Sequence, residues 1–230
     1  MAPAVLLQTA VALAGRFPAL SGVDLSVEPG EVVVVVGANG AGKTSLLRVC
    51  AGLLPVTSGT AVVLGCDLRQ DATAVRRQVG LLGHAAPLYD ELNPVENVRF
   101  AVKAAGLPVD RADPALERLG LVGRLRKTPV GRLSAGQRRR VALAALVARA
   151  PELWLLDEPH AGLDSAARDL LAALVAETTA QGAAVLLSSH EPDLAVPLAD
   201  RVITLAGGRV AATAPGGRRP AAVAGGVHVA

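Results

Sequence analysis

Lysine is scarce in this sequence. Of its 23 basic residues, only Lys43, Lys103 and Lys127 are lysines, and the rest are arginines. Aromatic residues are scarce too: Phe17, Tyr89, Phe100 and Trp154 are the full set, too few for the base-stacking platforms of RNA-binding sheets. The net charge of +3 is small and scattered, which together with the missing aromatics argues against a nucleic-acid partner. Two cysteines, Cys50 and Cys66, cannot build a disulfide scaffold and lack metal-ligand spacing, so both read as buried thiols. Hydrophobic residues make up 51% of the chain and the mean hydropathy is +0.42, yet no apolar run approaches the roughly 18–20 residues a membrane span needs. Residues 1–7 are apolar but short and carry no basic stretch, so no signal peptide is expected. These absences predict a cytoplasmic protein that would serve a membrane only through a separate partner.

What is present centres on Gly37-Ala38-Asn39-Gly40-Ala41-Gly42-Lys43-Thr44-Ser45. Five valines precede it and Leu46-Leu47-Arg48-Val49 follow. A β-branched run reads as a buried strand and the following segment as a helix. The glycines therefore sit on a strand-to-helix turn, the setting in which such a pattern cradles phosphate. Gly37, Gly40 and Gly42 let successive N–H groups point inward as an anion nest, and the new helix adds the positive end of its dipole. Lys43 supplies a point charge for β- and γ-phosphates and Thr44 a hydroxyl for Mg²⁺. A chain this poor in lysine still places one where a compact ammonium is needed.

At 230 residues the chain is one domain, or one domain with an inserted subdomain, long enough for a large core. Residues 4–8, 23–28, 61–64 and 79–82 read as strands, with a tight turn at Pro29-Gly30-Glu31 and a turn-rich loop over 52–59. The character changes near Leu88. Asn93-Pro94-Val95-Glu96 is a helix start, with Asn as cap, Pro first and Glu third. Asp113-Pro114 starts a second helix and Ser134 a third, so residues 88–150 read as a helical insertion. Strands follow at 153–156, 184–188 and 201–205, with a helix over 165–179. Gly207-Gly208 predicts a hairpin onto 209–213. From 215 to 230 the composition predicts a mobile tail.

Further chemistry lies downstream. Leu153-Trp154-Leu155-Leu156-Asp157-Glu158 is a buried strand ending in two acids, which delivers charge to the ligand crevice of an α/β sheet. Asp157 is placed to hold Mg²⁺ and Glu158 to polarise an attacking water; alone, the pair could equally end a strand in a solvated turn. Ser134-Ala135-Gly136-Gln137 carries two compatible readings, a capping box and a phosphate-binding helix start. Arg138, Arg139 and Arg140 read as a solvated or partner-facing helix face. His190 follows a strand and could contact a γ-phosphate. Asp164 by itself reads as a helix cap.

In this order, GANGAGKT at 37–44, LSAGQ at 133–137, LWLLDE at 153–158, AGLD at 161–164 and His190 resemble the nucleotide-binding domain of ABC ATPases over about residues 4–213. The resemblance implies an α/β P-loop NTPase fold with a mixed central sheet, an antiparallel β subdomain and an inserted helical subdomain. It makes residues 1–214 one nucleotide-binding domain. It also implies that Phe17 stacks on adenine, that 37–45 holds the phosphates of ATP, that Asp157 and Glu158 close the second nucleotide motif, and that His190 is the switch histidine. Ser134, Gly136, Gln137 and Asp164 would close over the ATP of a second domain, a copy or a related chain, in a head-to-tail pair. Most of the family has Gln where this chain has His84, a departure that puts a titratable group at a position expected to serve water or Mg²⁺. The segment Leu82-Gly83-His84, the string at 37–48 and the helix after LSAGQ look like ATP-binding subunits of the cytochrome c maturation system, often described as a haem exporter. That likeness implies small integral membrane subunits as partners and a place at the cytoplasmic face of the membrane. An ABC exporter of another substrate, and a soluble ABC protein without a transport role, are the alternatives.

Overall fold

A computed structural model describes residues 2–83 and 87–218. Its strands are β1 (Val5–Ala14), β2 (Phe17–Val27), β3 (Val32–Val36), β4 (Val56–Val63), β5 (Cys66–Asp67), β6 (Val79–Leu82), β7 (Leu153–Asp157), β8 (Ala184–Ser188), β9 (Arg201–Ala206) and β10 (Arg209–Pro215). An antiparallel sheet runs β2-β1-β4-β5, and a larger sheet runs β10-β9-β3-β8-β7-β6. In the larger sheet β10 is antiparallel to β9, and every other pairing is parallel. The helices are α1 (Lys43–Cys50), α2 (Leu68–Asp71), α3 (Pro94–Ala104), α4 (Ala112–Arg118), α5 (Ala135–Arg149), α6 (Ser165–Ala180) and α7 (Pro192–Ala195).

The valine strand shows why the core has two halves. Side chains alternate across a strand, so Val32 and Val34 face one apolar cluster and Val33 and Val35 face the other. Trp154 and Leu156 of β7 join the first, while Leu153 and Leu155 join the second. The first cluster is closed by α3 to α6 and the second by α1 and the antiparallel sheet. All four of Val32–Val35 are fully buried, each contributing roughly 1.5–3 kcal/mol. A parallel strand covered on both faces reads as a continuous apolar run, which is what the sequence displays.

The helix starts follow their residues. Asn93 caps α3 with a full capping box to Glu96, and Pro94 opens the helix. Ser134 and Gln137 do the same for α5. Three helices, α3, α4 and α5, lie between β6 and β7, the span expected to be a helical insertion.

Several expectations need correction. β1 and β2 run to residues 14 and 17, forming one long hairpin, where the sequence reading has only 4–8 and 23–28. The missing parts, 9–14 and 17–22, are rich in Ala and show no clean alternation. They are held instead by irregular pairing: the register shifts after Leu7, Thr9 takes φ of 47°, and its N–H donates to Asp24 Oδ1 at 2.8 Å. β4 likewise starts at Val56, inside the expected loop, and Gly59 (φ 82°) lies so close to β1 that a Cβ there would come 2.3 Å from the Thr9 carbonyl. Residues 215–218, at the start of the expected tail, are tied to the fold. Pro215 ends β10, the Gly216 and Gly217 amides donate to Asp200 and Val196, and Arg218 reaches Asp200 at 3.0 Å and Thr179 at 2.7 Å. The expectation for 219–230 falls outside the described residues. Of the two thiols, Cys50 is buried, with its pKa pushed up to about 12 by burial, while Cys66 is only half-buried.

Candidate functional site

The parallel strands β3, β6, β7 and β8 all point their C-terminal ends to one edge of the larger sheet, where open α/β sheets bind ligands. The loop 37–42 leaves β3 there. Gly42 caps α1 with φ of 106° and no side-chain cap, so the first amides of α1 are left for an anion. Only glycine suits this position, since a Cβ would lie 2.6 Å from the Ala19 carbonyl. A Cβ at Gly37 would collide with the Leu205 carbonyl. Ala41 is buried beneath the loop. The Lys43 ammonium, itself buried, donates to the carbonyls of Gly37 at 2.8 Å and Ala38 at 3.2 Å. A cation is thus drawn over the mouth of its own loop.

β7 brings in the two acids. The Thr44 hydroxyl donates to Asp157 Oδ2 at 2.9 Å, and the buried Ser188 hydroxyl donates to Asp157 Oδ1. Asp157 is therefore fixed from both sides, with Thr44 as its nearest partner on α1. Hydroxyl and carboxylate are hard oxygen donors, and Mg²⁺ is commonly held by one or two such groups plus substrate phosphates. Among the described residues no cluster of three or more His, Cys, Asp or Glu could hold a metal alone. The donor set fits an Mg²⁺ completed by nucleotide oxygens.

Glu158 leaves the strand with φ of 49°, a left-handed backbone rare for a residue with a long side chain. Its N–H donates to the Ser188 carbonyl at 3.1 Å. Its carboxylate accepts the His190 N–H at 3.1 Å and lies 2.7 Å from His190 Nδ1. Strain of this kind, of order 1–3 kcal/mol, persists where the surroundings over-determine it and clusters at functional sites.

A cavity of about 460 Å³ gathers Phe17, Asn39, Gly40, Gly42, Lys43, Thr44, Ser45, Asp157 and Glu158 along its walls. Phe17 is 78% exposed at its rim, an aromatic face open to a stacking ligand. Residues from three separate stretches of the sequence thus converge. Among the described residues, the remaining selected ones do not line it. Ser134, Gly136, Gln137 and Asp164 form a second group. Ser134 Oγ accepts the Gln137 amide at 3.2 Å, Asp164 caps α6, and Arg140 joins the two segments by pairing with Asp164 at 3.0 Å. His84 lies outside the described residues.

The expected solvated face over 138–140 is wrong at its centre. Arg138 and Arg140 do reach acids, Asp90 and Asp164. Arg139 is buried, and donates to the carbonyls of Gly83, Asp157 and Glu158. The helical period held the signal: Arg139 shares its face with Ala142, Leu143 and Leu146, all buried. Ser188 gives no such signal, since a serine beside a second serine at a strand end carries no pattern of its own.

The family model "ABC transporter" matches residues 20–161. The cytochrome c biogenesis ATP-binding export protein CcmA of Bordetella bronchiseptica is 43% identical over 193 residues, 82% of this chain and 84% of that protein. Its namesake in Nitrosomonas europaea is 40% identical over 179 residues, 77% of this chain and 84% of that protein. Among solved structures, an ATP-binding subunit of an ABC transporter superposes with a TM-score of 0.85 at 29% identity, over 92% of this chain and 89% of that one. The ATP-binding cassette MJ0796, a dimer in a post-hydrolysis state bound to ADP and Pi, superposes with a TM-score of 0.82 at 26% identity, over 94% of this chain and 99% of that one.

Proposed function

Because this chain belongs to the ABC transporter family, as an ATPase subunit that works with separate membrane subunits, we propose that it hydrolyses ATP to drive the export step of cytochrome c biogenesis. The relatives that carry that name support the assignment. The observation that carries the chemistry is the meeting of Lys43, Thr44, Asp157 and Glu158 on one cavity. In this reading Phe17 stacks on the adenine. The amides of 37–45 and the Lys43 ammonium hold the phosphates, with Asn39, Gly40 and Ser45 at the wall. Thr44 and Asp157 would hold Mg²⁺, whose charge would offset that of the nucleotide phosphates. Glu158 accepts the proton of the attacking water, and His190, 2.7 Å away, orients that carboxylate and reaches the γ-phosphate. His84 would serve water or the metal.

Ser134, Gly136, Gln137 and Asp164 stand apart from this cavity, which fits their closing over the nucleotide of a second copy. Two capped, composite sites would then form and open with each cycle. Among the described residues no helix is long and apolar enough to cross a membrane, so the stroke passes to an integral membrane subunit, with this chain at the cytoplasmic face. Support for the contact comes from a cleft of about 510 Å³ bounded by β6, α3 and α5. Tyr89 and Phe100, both about half exposed, meet there edge to face at 5.0 Å. Half of the chain's aromatic residues thus sit on one rim, where an apolar segment of the membrane subunit can dock.

The test is a pull-down of the tagged full-length chain from detergent-solubilised membranes of its host. Cytochrome c maturation membrane proteins are the expected co-purifying subunits. Recovery of an unrelated permease would reassign the exported substrate and leave the ATPase chemistry standing, and recovery of ribosomes alone would remove transport.

A further inference from the structure

The guanidinium of Arg139 occupies an unusual place. It projects from the first turns of α5 into the sheet, where only 7% of the residue is exposed. Nη1 donates to the Gly83 carbonyl at 2.7 Å, at the end of β6. Nη2 donates to the Asp157 carbonyl at 3.1 Å and to the Glu158 carbonyl at 2.8 Å, at the end of β7. None of these acceptors is a carboxylate, so the arginine leaves both acids free for ligands while staying near enough to feel their charge. Burial lowers its pKa, and the negative charges of Asp157 and Glu158 oppose that shift.

The target matters more than the burial. Glu158 has φ of 49°, and its carbonyl direction is set by that strained backbone. The same carbonyl accepts the Ala161 amide at 3.2 Å. A single planar fork that grips Glu158, its neighbour Asp157 and the adjacent strand at Gly83 fixes this peptide in three directions. A lysine ammonium has no such fork.

We propose that Arg139 is a positioning residue for ATP hydrolysis: by clamping the carbonyls of Gly83, Asp157 and Glu158 it holds Glu158 in its left-handed conformation and aims its carboxylate at the attacking water. This rests on the reading of Glu158 as the base. Binding of ATP is carried by the loop 37–45, which Arg139 does not touch. Loss of the clamp therefore slows the chemical step and leaves nucleotide affinity in place. A misplacement of about 1 Å in a catalytic group costs roughly 100-fold.

The experiment compares Arg139→Gln, Arg139→Lys, Arg139→Ala and Glu158→Gln in the full-length chain assembled with its membrane subunit. The readouts are kcat, KM for ATP and rescue by millimolar guanidinium. The Arg139 variants are expected to lose roughly 10–100-fold in kcat with KM within about twofold of wild type. Guanidinium is expected to restore part of the rate to Arg139→Ala and none to Glu158→Gln. Arg139→Lys keeps the charge and much of the length, so it carries the test if Arg139→Ala does not fold. Wild-type kcat in Arg139→Gln and Arg139→Lys, beside an inactive Glu158→Gln, overturns this inference alone. Parallel loss of kcat and ATP affinity also overturns it, since a merely structural arginine would act that way. Wild-type hydrolysis by Glu158→Gln would instead remove the reading of the base itself.

Discussion

His190 Nδ1 lies 2.7 Å from Glu158 Oε2, and the His190 amide donates to the same oxygen at 3.1 Å. One residue thus holds one carboxylate oxygen from two directions, leaving the other for water. His190→Ala should keep ATP affinity near wild type and lower kcat about 10–100-fold, because an oriented base gives way to a mobile one. Steady-state ATPase kinetics check this. An unchanged kcat would show that the contact does not position the base.

Lys43 is buried, and its ammonium spans the Gly37 and Ala38 carbonyls. Charge-assisted hydrogen bonds contribute about 1.5–3 kcal/mol each. Lys43→Ala should therefore weaken ATP binding about 10–100-fold or more, read by equilibrium titration with a fluorescent ATP analogue. Full retention of affinity would sink the assignment of this loop.

His160 follows Glu158 by two residues and is buried, with no hydrogen-bond partner for its Nδ1 among the described residues. Its pKa lies below the ordinary 6.5, first because of burial; Arg168 and Arg139 push it down further, while Glu191 and Glu158 oppose them. The folded chain thus keeps His160 neutral where the unfolded chain takes up a proton. Stability from this site is present above about pH 6.5 and is lost as pH falls through that value, levelling off below the depressed folded pKa. The melting temperature of the wild type should drop more between pH 7.5 and 5.5 than that of His160→Leu, whose side chain stays uncharged. Parallel pH profiles of the two proteins would contradict this.

Much of the site is legible in the sequence because backbone geometry dictates it. A phosphate loop needs glycines at Gly37 and Gly42, where any Cβ meets a carbonyl. A strand covered on both faces needs a run such as Val32–Val35, and a helix start needs Asn93 or Ser134. These are local constraints, and local constraints leave local patterns. Arg139 and Ser188 obey a different logic. Each is selected by what lies across the fold, three carbonyls for one and the Asp157 carboxylate for the other, and nothing nearby in the chain announces that partner. The ends of β1 and β2 are hidden for a similar reason: their pairing passes through irregular registers and through contacts such as Thr9 with Asp24, not through alternating side chains.

The proposed hydrolysis depends most directly on Glu158. Glu158→Gln keeps the size and hydrogen-bonding reach of the side chain and removes its capacity to accept a proton. With ATP present, the variant should bind nucleotide as the wild type does, hydrolyse it at least about 100-fold more slowly, and elute in size-exclusion chromatography as a persistent dimer closed on ATP. Hydrolysis at the wild-type rate, with no accumulation of the dimer, would contradict the assignment of Glu158 as the base.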